Sequence, residues 1–207
     1  ERVESHVGPD LHSRIWVAAL GNTLDFFRRP EEAFSRVLLE TDREPLFFRD
    51  DTSRLDKALA RGIARILYLT DNAGEIYFDL PLYEYLNEKA ERTVLVVKGG
   101  PALNDLTRTE LRIAGLEDHF RKVADTGTPG AGIDWKRTSP EFQRLVKEAD
   151  LVVCKGMANF ETVFPRDLDA SCLFLFQAKC EPIRNYLGAP PDAFMALWKD
   201  GKGRDRR

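Results

Sequence analysis

Ile63-Ala64-Arg65-Ile66-Leu67-Tyr68-Leu69-Thr70-Asp71-Asn72-Ala73-Gly74-Glu75 is the stretch on which the fold turns. A short apolar run ends at Thr70, a polar turn with a glycine follows, and an amphipathic stretch of helical period occupies 78–89. Strand, turn and helix in that order form the unit of a parallel α/β sheet. Further apolar runs stand at 93–97, 122–124, 150–154 and 171–178, separated by helical stretches at 105–114, 141–148 and 159–164. The alternation predicts an α/β fold: a three-layer α/β/α sandwich with a mostly parallel sheet.

Upstream the pattern is helical. Ile15, Val17, Ala18, Leu20, Leu24, Phe26 and Phe27 recur at helical spacing and predict a helix from Leu11 to Phe27. Pro30 followed by Glu31 and Glu32 opens a second helix through about Glu40, and Ser53 caps a third through Ala60. The expected organisation is an N-terminal helical segment, 1–60, and an α/β domain, 61–207. The charged stretch Lys199–Arg207 reads as a frayed tail.

Composition narrows the function classes. With 31 Lys+Arg against 34 Asp+Glu, both signs interspersed, no face is built for a polyanion, so nucleic acid is not expected as a partner. Cys154, Cys172 and Cys180 follow no C-x-x-C spacing and lie in or beside apolar runs, as reduced core residues do. No apolar run reaches the roughly 18 residues that a membrane span requires, and no signal-peptide pattern opens the chain. A soluble, cytoplasmic protein without a membrane partner is the expectation.

Ligands of open parallel sheets bind outside the carboxyl ends of the strands. Those ends here are Thr70–Glu75, Lys98–Asp105, Asp125-Thr126-Gly127, Lys155–Glu161 and Lys179–Pro182, each polar and most with glycine. Asp71, Asn72 and Asp105 offer only oxygen ligands, which suit a hard divalent ion, Mg²⁺ or Mn²⁺, and disfavour zinc. The plainer reading makes Asp71 and Asp105 helix N-caps. Two such carboxylates on one sheet edge would repel each other, and a cation relieves that repulsion. Lys155 and Lys179 can meet phosphate oxygens, whereas Lys98 reads as a solvated strand-end lysine. Gly127 and Gly156 can let backbone amides approach an anion, with Asn104 and Thr126 beside them. Glu75, Asn159 and Glu161 are candidates for positioning water or a substrate hydroxyl.

The strings Asp71-Asn72-Ala73-Gly74-Glu75, Lys98-Gly-Gly-Pro-Ala-Leu-Asn-Asp105 and Lys155-Gly-Met-Ala-Asn159-Phe-Glu161 together resemble the metal-dependent damage-control phosphatases, formerly a domain of unknown function. Gly21-Asn22 with Asp25, Asp125-Thr126-Gly127 and Ala178-Lys179-Cys180 extend the resemblance over about residues 15–190. The likeness is to the stand-alone prokaryotic branch, with Pro101–Thr107 similar to the phosphatase domain of a pantothenate kinase paralogue. It implies a divalent ion on Asp71, Asn72 and Asp105, with Co²⁺ and Ni²⁺ as further candidates beside Mn²⁺ and Mg²⁺. It also implies hydrolysis of phosphate esters of small metabolites such as sugar phosphates.

The resulting expectation is a phosphatase in which the metal activates water and Lys155 and Lys179 stabilise the transferring group. In a variant mechanism Asp71 is the nucleophile and forms an aspartyl-phosphate. One rival is a carboxyl methyltransferase using an adenosyl cofactor, but the first strand is followed by no G-x-G-type loop. A second rival is a non-catalytic metal- or metabolite-binding module. A nucleotide kinase is set aside because no G-x-x-x-x-G-K-[ST] loop occurs.

Overall fold

Seven strands form one sheet in the order β1-β7-β6-β5-β2-β3-β4 in the computed structural model, which describes residues 7–23 and 46–203. In chain order the elements are α1 (Leu11–Gly21), β1 (Phe47–Asp50), α2 (Thr52–Ala60), β2 (Arg65–Leu69), α3 (Ile76–Lys89) and β3 (Arg92–Val97). They continue with α4 (Arg108–Ile113), β4 (Val123–Asp125), α5 (Pro140–Glu148), β5 (Leu151–Lys155) and α6 (Met157–Val163). The last are β6 (Ser171–Ala178), α7 (Glu181–Leu187) and β7 (Ala193–Lys199).

Strands β2 to β6 pair in parallel, β7 runs antiparallel to β6, and β1 lies parallel to β7. The period of two along each strand sends Ile66, Tyr68, Leu95, Val153 and Leu173 to one core and Leu67, Leu69, Val96, Cys154 and Phe174 to the other. Buried residues of α1 to α4 close the first core, and those of α5 to α7 close the second. The α/β fold with a mostly parallel sheet is therefore as the sequence predicts, and its two cores make the three layers.

The chain winds outward from β2 through β3 to β4, then returns to place β5 on the other side of β2. That reversal opens a crevice at the carboxyl ends of β2 and β5, where doubly wound folds bind their ligands.

Several expectations need correction. Two strands, β1 and β7, were not anticipated, and they are the ones that break the parallel pattern. The segment 1–60 is not wholly helical, because β1 belongs to the common sheet. Helix α1 ends at Gly21 and turns at Asn22, short of Phe27, while α2 begins one residue before Ser53, with Asp51 in the N-cap position. Lys199 is no frayed tail: it ends β7, and its ammonium donates to the carbonyls of Phe164 (2.6 Å) and Arg166 (2.6 Å) beyond α6. The helix predicted at 30–40 and Asp25 lie outside the described residues. Among the described residues no helix is long and apolar enough to cross a membrane.

Because α1 supplies Leu11, Ile15 and Ala18 to the first core, it is integral to the domain. Ile15→Ala should lower unfolding stability by about 2–5 kcal/mol, read as a shift of the single guanidinium transition. An appendage would leave that transition in place.

Candidate active site

The crevice is built by one short ladder. Segment 104–107, the last part of the loop after β3, lies between the loop after β2 and Lys98 at the end of β3: Ala73 N–H donates to Asn104 O (2.8 Å), Leu106 N–H to Asp71 O (2.8 Å), and Lys98 N–H to Leu106 O (2.9 Å). Asn72 and Asp105 thus form an antiparallel bridge, and the three residues expected to hold a metal come together on the backbone. The N-cap reading fails for both acids. Thr107 caps α4 in a capping box with Glu110, and the turn Ala73–Glu75 has Asn72 as its N-cap, without a side-chain capping bond.

Asp71 is held on several sides. Its Oδ2 accepts from Asn22 Nδ2 (3.0 Å) and Asn72 Nδ2 (3.3 Å). Both amides also donate to Glu75 Oε1, at 2.8 Å from Asn22 and 2.6 Å from Asn72. Asn22 Oδ1 accepts the Gln177 N–H (2.9 Å), which fixes the orientation of that amide. The opposite orientation of Asn72 would set its oxygen against two carboxylates, so the amide nitrogen faces them and Oδ1 is turned away. Gly156 has φ +79°, and a Cβ there would overlap the Asp71 carboxylate. Glycine is required at this position for both reasons.

Below this layer lies Lys155, fully buried, donating to Glu75 Oε2 (2.9 Å) and Asp79 Oδ1 (2.6 Å). Tyr68 OH donates to the same Asp79 oxygen (2.9 Å). Burial disfavours the Lys155 ammonium, but Asp79 and Glu75 outweigh that and raise its pKa above the ordinary lysine value. Burial pushes Asp79 up to about 6, with Lys155 opposing and Glu75 adding to the rise. Asp71 is pushed up to about 8, first by burial and then by repulsion from Glu75 and Asp105, against the pull of Lys155 and Lys98. Burial likewise raises Asp105, opposed chiefly by Lys98.

Lys98 is a second buried ammonium, 3% exposed, and so not the solvated lysine expected. It donates to Gly132 O (3.1 Å) and Asn159 Oδ1 (3.3 Å), and it stands 3.5 Å from Asp105 Oδ2. At that separation the ammonium is an ion-pair partner at the limit of hydrogen-bond reach, and Asp105 Oδ2 is buried with no closer donor.

The other expected residues are used differently. Asn159 is a buried clasp between strands, donating to Thr70 O (2.9 Å) and Lys155 O (2.7 Å). Glu161 is exposed on α6, whereas Asn159 two residues before it is buried. Gly156 N–H donates to Leu175 O (3.0 Å) and Gly127 N–H to Asp125 Oδ1 (2.9 Å), which removes both amides as anion donors. The Thr126 hydroxyl donates to Thr128 O (2.9 Å) and accepts Gly99 N–H (3.1 Å), bracing one loop on another. Asn104 contributes its backbone carbonyl, and Lys179 lies half-buried just past β6, its N–H 3.4 Å from Met157 Sδ. Sequence reasoning left out Asp79 and Tyr68, and it read Lys98 as solvated. The available signal for Asp79 was an acid within Ile76-Tyr77-Phe78-Asp79-Leu80, one helical turn past Glu75.

Two observations test whether a divalent ion fits here. Four buried carboxylates, Asp71, Glu75, Asp79 and Asp105, face two buried ammoniums, Lys98 and Lys155, a formal excess of two negative charges. The buried Asp105 Oδ2 and the outward Asn72 Oδ1 supply oxygen atoms. Among the described residues no cluster of three His, Cys, Asp or Glu is arranged to hold a metal, and both Glu75 oxygens are engaged. A pair of carboxylates with an amide oxygen is enough for Mg²⁺ or Mn²⁺, which retain water and substrate oxygens as ligands.

Residues 2–194 match the family model described as the damage-control phosphatase ARMT1-like domain. Damage-control phosphatases of Pyrococcus horikoshii and Archaeoglobus fulgidus are each 35% identical, over 193 and 192 residues, covering 91% of this chain and 65% of their own. The chain thus spans just under two thirds of the length of these relatives. The crystal structure of a DUF89 family protein from Pyrococcus horikoshii superposes with a TM-score of 0.82 at 32% identity, covering 94% of this chain and 68% of that one.

Two substitutions check the geometry. Lys155→Met leaves Glu75 and Asp79 without their ammonium and should cost about 3–5 kcal/mol of unfolding stability, measured in urea at pH 7. Gly156→Ala should cost at least about 1–3 kcal/mol from backbone strain alone, with Gly62→Ala, where nothing lies within 4 Å of a Cβ and φ is +86°, as the strain-only comparison.

Proposed function

Because this chain belongs to the ARMT1-like damage-control phosphatase family, we propose that it hydrolyses phosphate monoesters of small metabolites, sugar phosphates among them, with a divalent cation held by Asp71, Asn72 and Asp105. The observation that carries the reading is the Asn72–Asp105 bridge beside Asp71, within a buried cluster of four carboxyl groups and two ammoniums. Mn²⁺ and Mg²⁺ suit the all-oxygen donors best, with Co²⁺ and Ni²⁺ as further candidates.

The chain's own residues divide the work. Asn22 and Asn72 hold Asp71 through Oδ2, and Lys98 sits against Asp105, so both carboxylates keep one direction without rearranging when a ligand arrives. In this reading Lys179, half-buried just past β6, is the lysine that meets a phosphate group, because Lys98 and Lys155 are enclosed. Gly156 keeps the floor low enough for the Asp71 carboxylate to lie flat on the β5–α6 turn. A divalent ion bound there supplies Lewis-acid polarisation of a phosphoryl oxygen and a water of lowered pKa.

The test is phosphate release from a panel of sugar phosphates by the full chain with Mn²⁺, Mg²⁺ or chelator. Release should require the ion and fall by at least about 100-fold in Asp71→Asn, given the 10²–10³ that a single preorganised electrostatic group commonly contributes. Release that persists in chelator, or survives Asp71→Asn unchanged, rules the reading out.

A further inference from the structure

The buried ammonium of Lys155 would be neutralised by one carboxylate, yet it has two. Glu75 is explained by its contacts with the two asparagines of the site. The hydrogen bonds of Asp79 go to Lys155 and Tyr68 through Oδ1, and its Oδ2 is buried without a hydrogen-bond partner, an arrangement that costs desolvation. Stability alone would be served as well by an apolar residue and a single pair.

We infer that Asp79 is a positioning residue for the cation site: it anchors the Lys155 ammonium, Lys155 orients Glu75, and Glu75 directs the amides of Asn22 and Asn72 at Asp71. The inference rests on the cation-dependent reading above. Each link is a short contact between buried or largely buried atoms: Asp79 Oδ1 to Lys155 Nζ at 2.6 Å, Lys155 Nζ to Glu75 Oε2 at 2.9 Å, and Glu75 Oε1 to Asn72 Nδ2 at 2.6 Å. Tyr68, on β2, fixes the far end by donating to Asp79 Oδ1 at 2.9 Å.

Sharing the ammonium between two carboxylates has a consequence at the site. Glu75 keeps enough negative charge on Oε1 to hold two amide nitrogens, and that contact fixes the Asn72 side chain with Nδ2 on the carboxylates and Oδ1 left free of them. Without Asp79, Lys155 pairs with Glu75 alone and both the direction of Asn72 and the negative charge of the cluster weaken. Outer-sphere partners of this kind typically change metal affinity by about 10- to 100-fold.

The experiment is calorimetric titration of Mn²⁺ into the metal-stripped full chain without substrate, with phosphate release measured in parallel. Asp79→Asn preserves shape and an acceptor for Lys155 and Tyr68, and it should weaken Mn²⁺ binding by about 10- to 100-fold, with release largely recovered at saturating Mn²⁺. Tyr68→Phe, a milder change on the same path, should weaken binding by a smaller factor and carries the test if Asp79→Asn does not fold. Phe142→Ala, in the opposite core, should destabilise the protein and leave Mn²⁺ affinity unchanged. Unaltered affinity in both Asp79→Asn and Tyr68→Phe, beside a wild type that binds Mn²⁺ and releases phosphate, overturns the positioning role alone. Equal weakening in Phe142→Ala overturns it too, because affinity would then merely follow stability. A wild type that binds no Mn²⁺ overturns the functional reading together with the inference.

Discussion

One fully buried ammonium, Lys155, lies between two fully buried carboxylates, and the crevice is organised around it. Removing three charges from water costs several kcal/mol per ion, and only close pairing with additional hydrogen bonds offsets it. Lys155 ends β5, while Glu75 and Asp79 lie at the start of α3, so the pairing locks the strand on one side of the switch point to the helix that follows the strand on the other. Asn159 adds a neutral clasp across the same gap, from Thr70 at the end of β2 to Lys155 itself. The two strands that flank the crevice are therefore fixed relative to each other before any ligand binds.

That rigidity holds together more carboxyl groups than the two lysines can pair. Asp71 and Asp105 are buried near Glu75 with only two lysines for four acids, and the elevated pKa of Asp71 records the cost. A flexible site would relieve the repulsion by turning a side chain outward. Here Gly156 lies directly under Asp71, two amides hold its Oδ2, and the 104–107 ladder holds Asp105, so the strain is retained and a cation can relieve it.

Buried parallel strands were the most legible part of the sequence. Strands β2, β3, β5 and β6 are apolar along nearly their whole length because both faces are covered, and their bounds follow from composition within a residue or two. Strands β1 and β7 are half-buried or exposed over most positions, so no apolar run marks them. The donor set Asp71, Asn72 and Asp105 was visible as oxygen ligands at strand ends, but the bridge that joins them is a backbone feature between segments over thirty residues apart. Lys98 and Lys155 look alike in sequence to Lys179, as a lysine at the end of a strand. Whether such an ammonium turns into the protein depends on the acids that await it, and those come from other elements.

Asn22 shows most clearly why the site cannot be assigned to the α/β layers alone. It follows the last residue of α1, and Gly21 before it lets that helix end against α3, where a Cβ would stand 3.0 Å from Phe78 Cβ and 3.6 Å from Glu75 Cβ. From there its amide nitrogen reaches Asp71 and Glu75, and its oxygen takes the N–H of Gln177 on β6. A residue far from the metal-ligand motifs in sequence thus ties together β6, the loop after β2 and the start of α3. If α1 were displaced, Asp71 Oδ2 and Glu75 Oε1 would each lose an amide donor. The N-terminal helix therefore contributes to the electrostatic balance of the crevice as well as to the core beneath it.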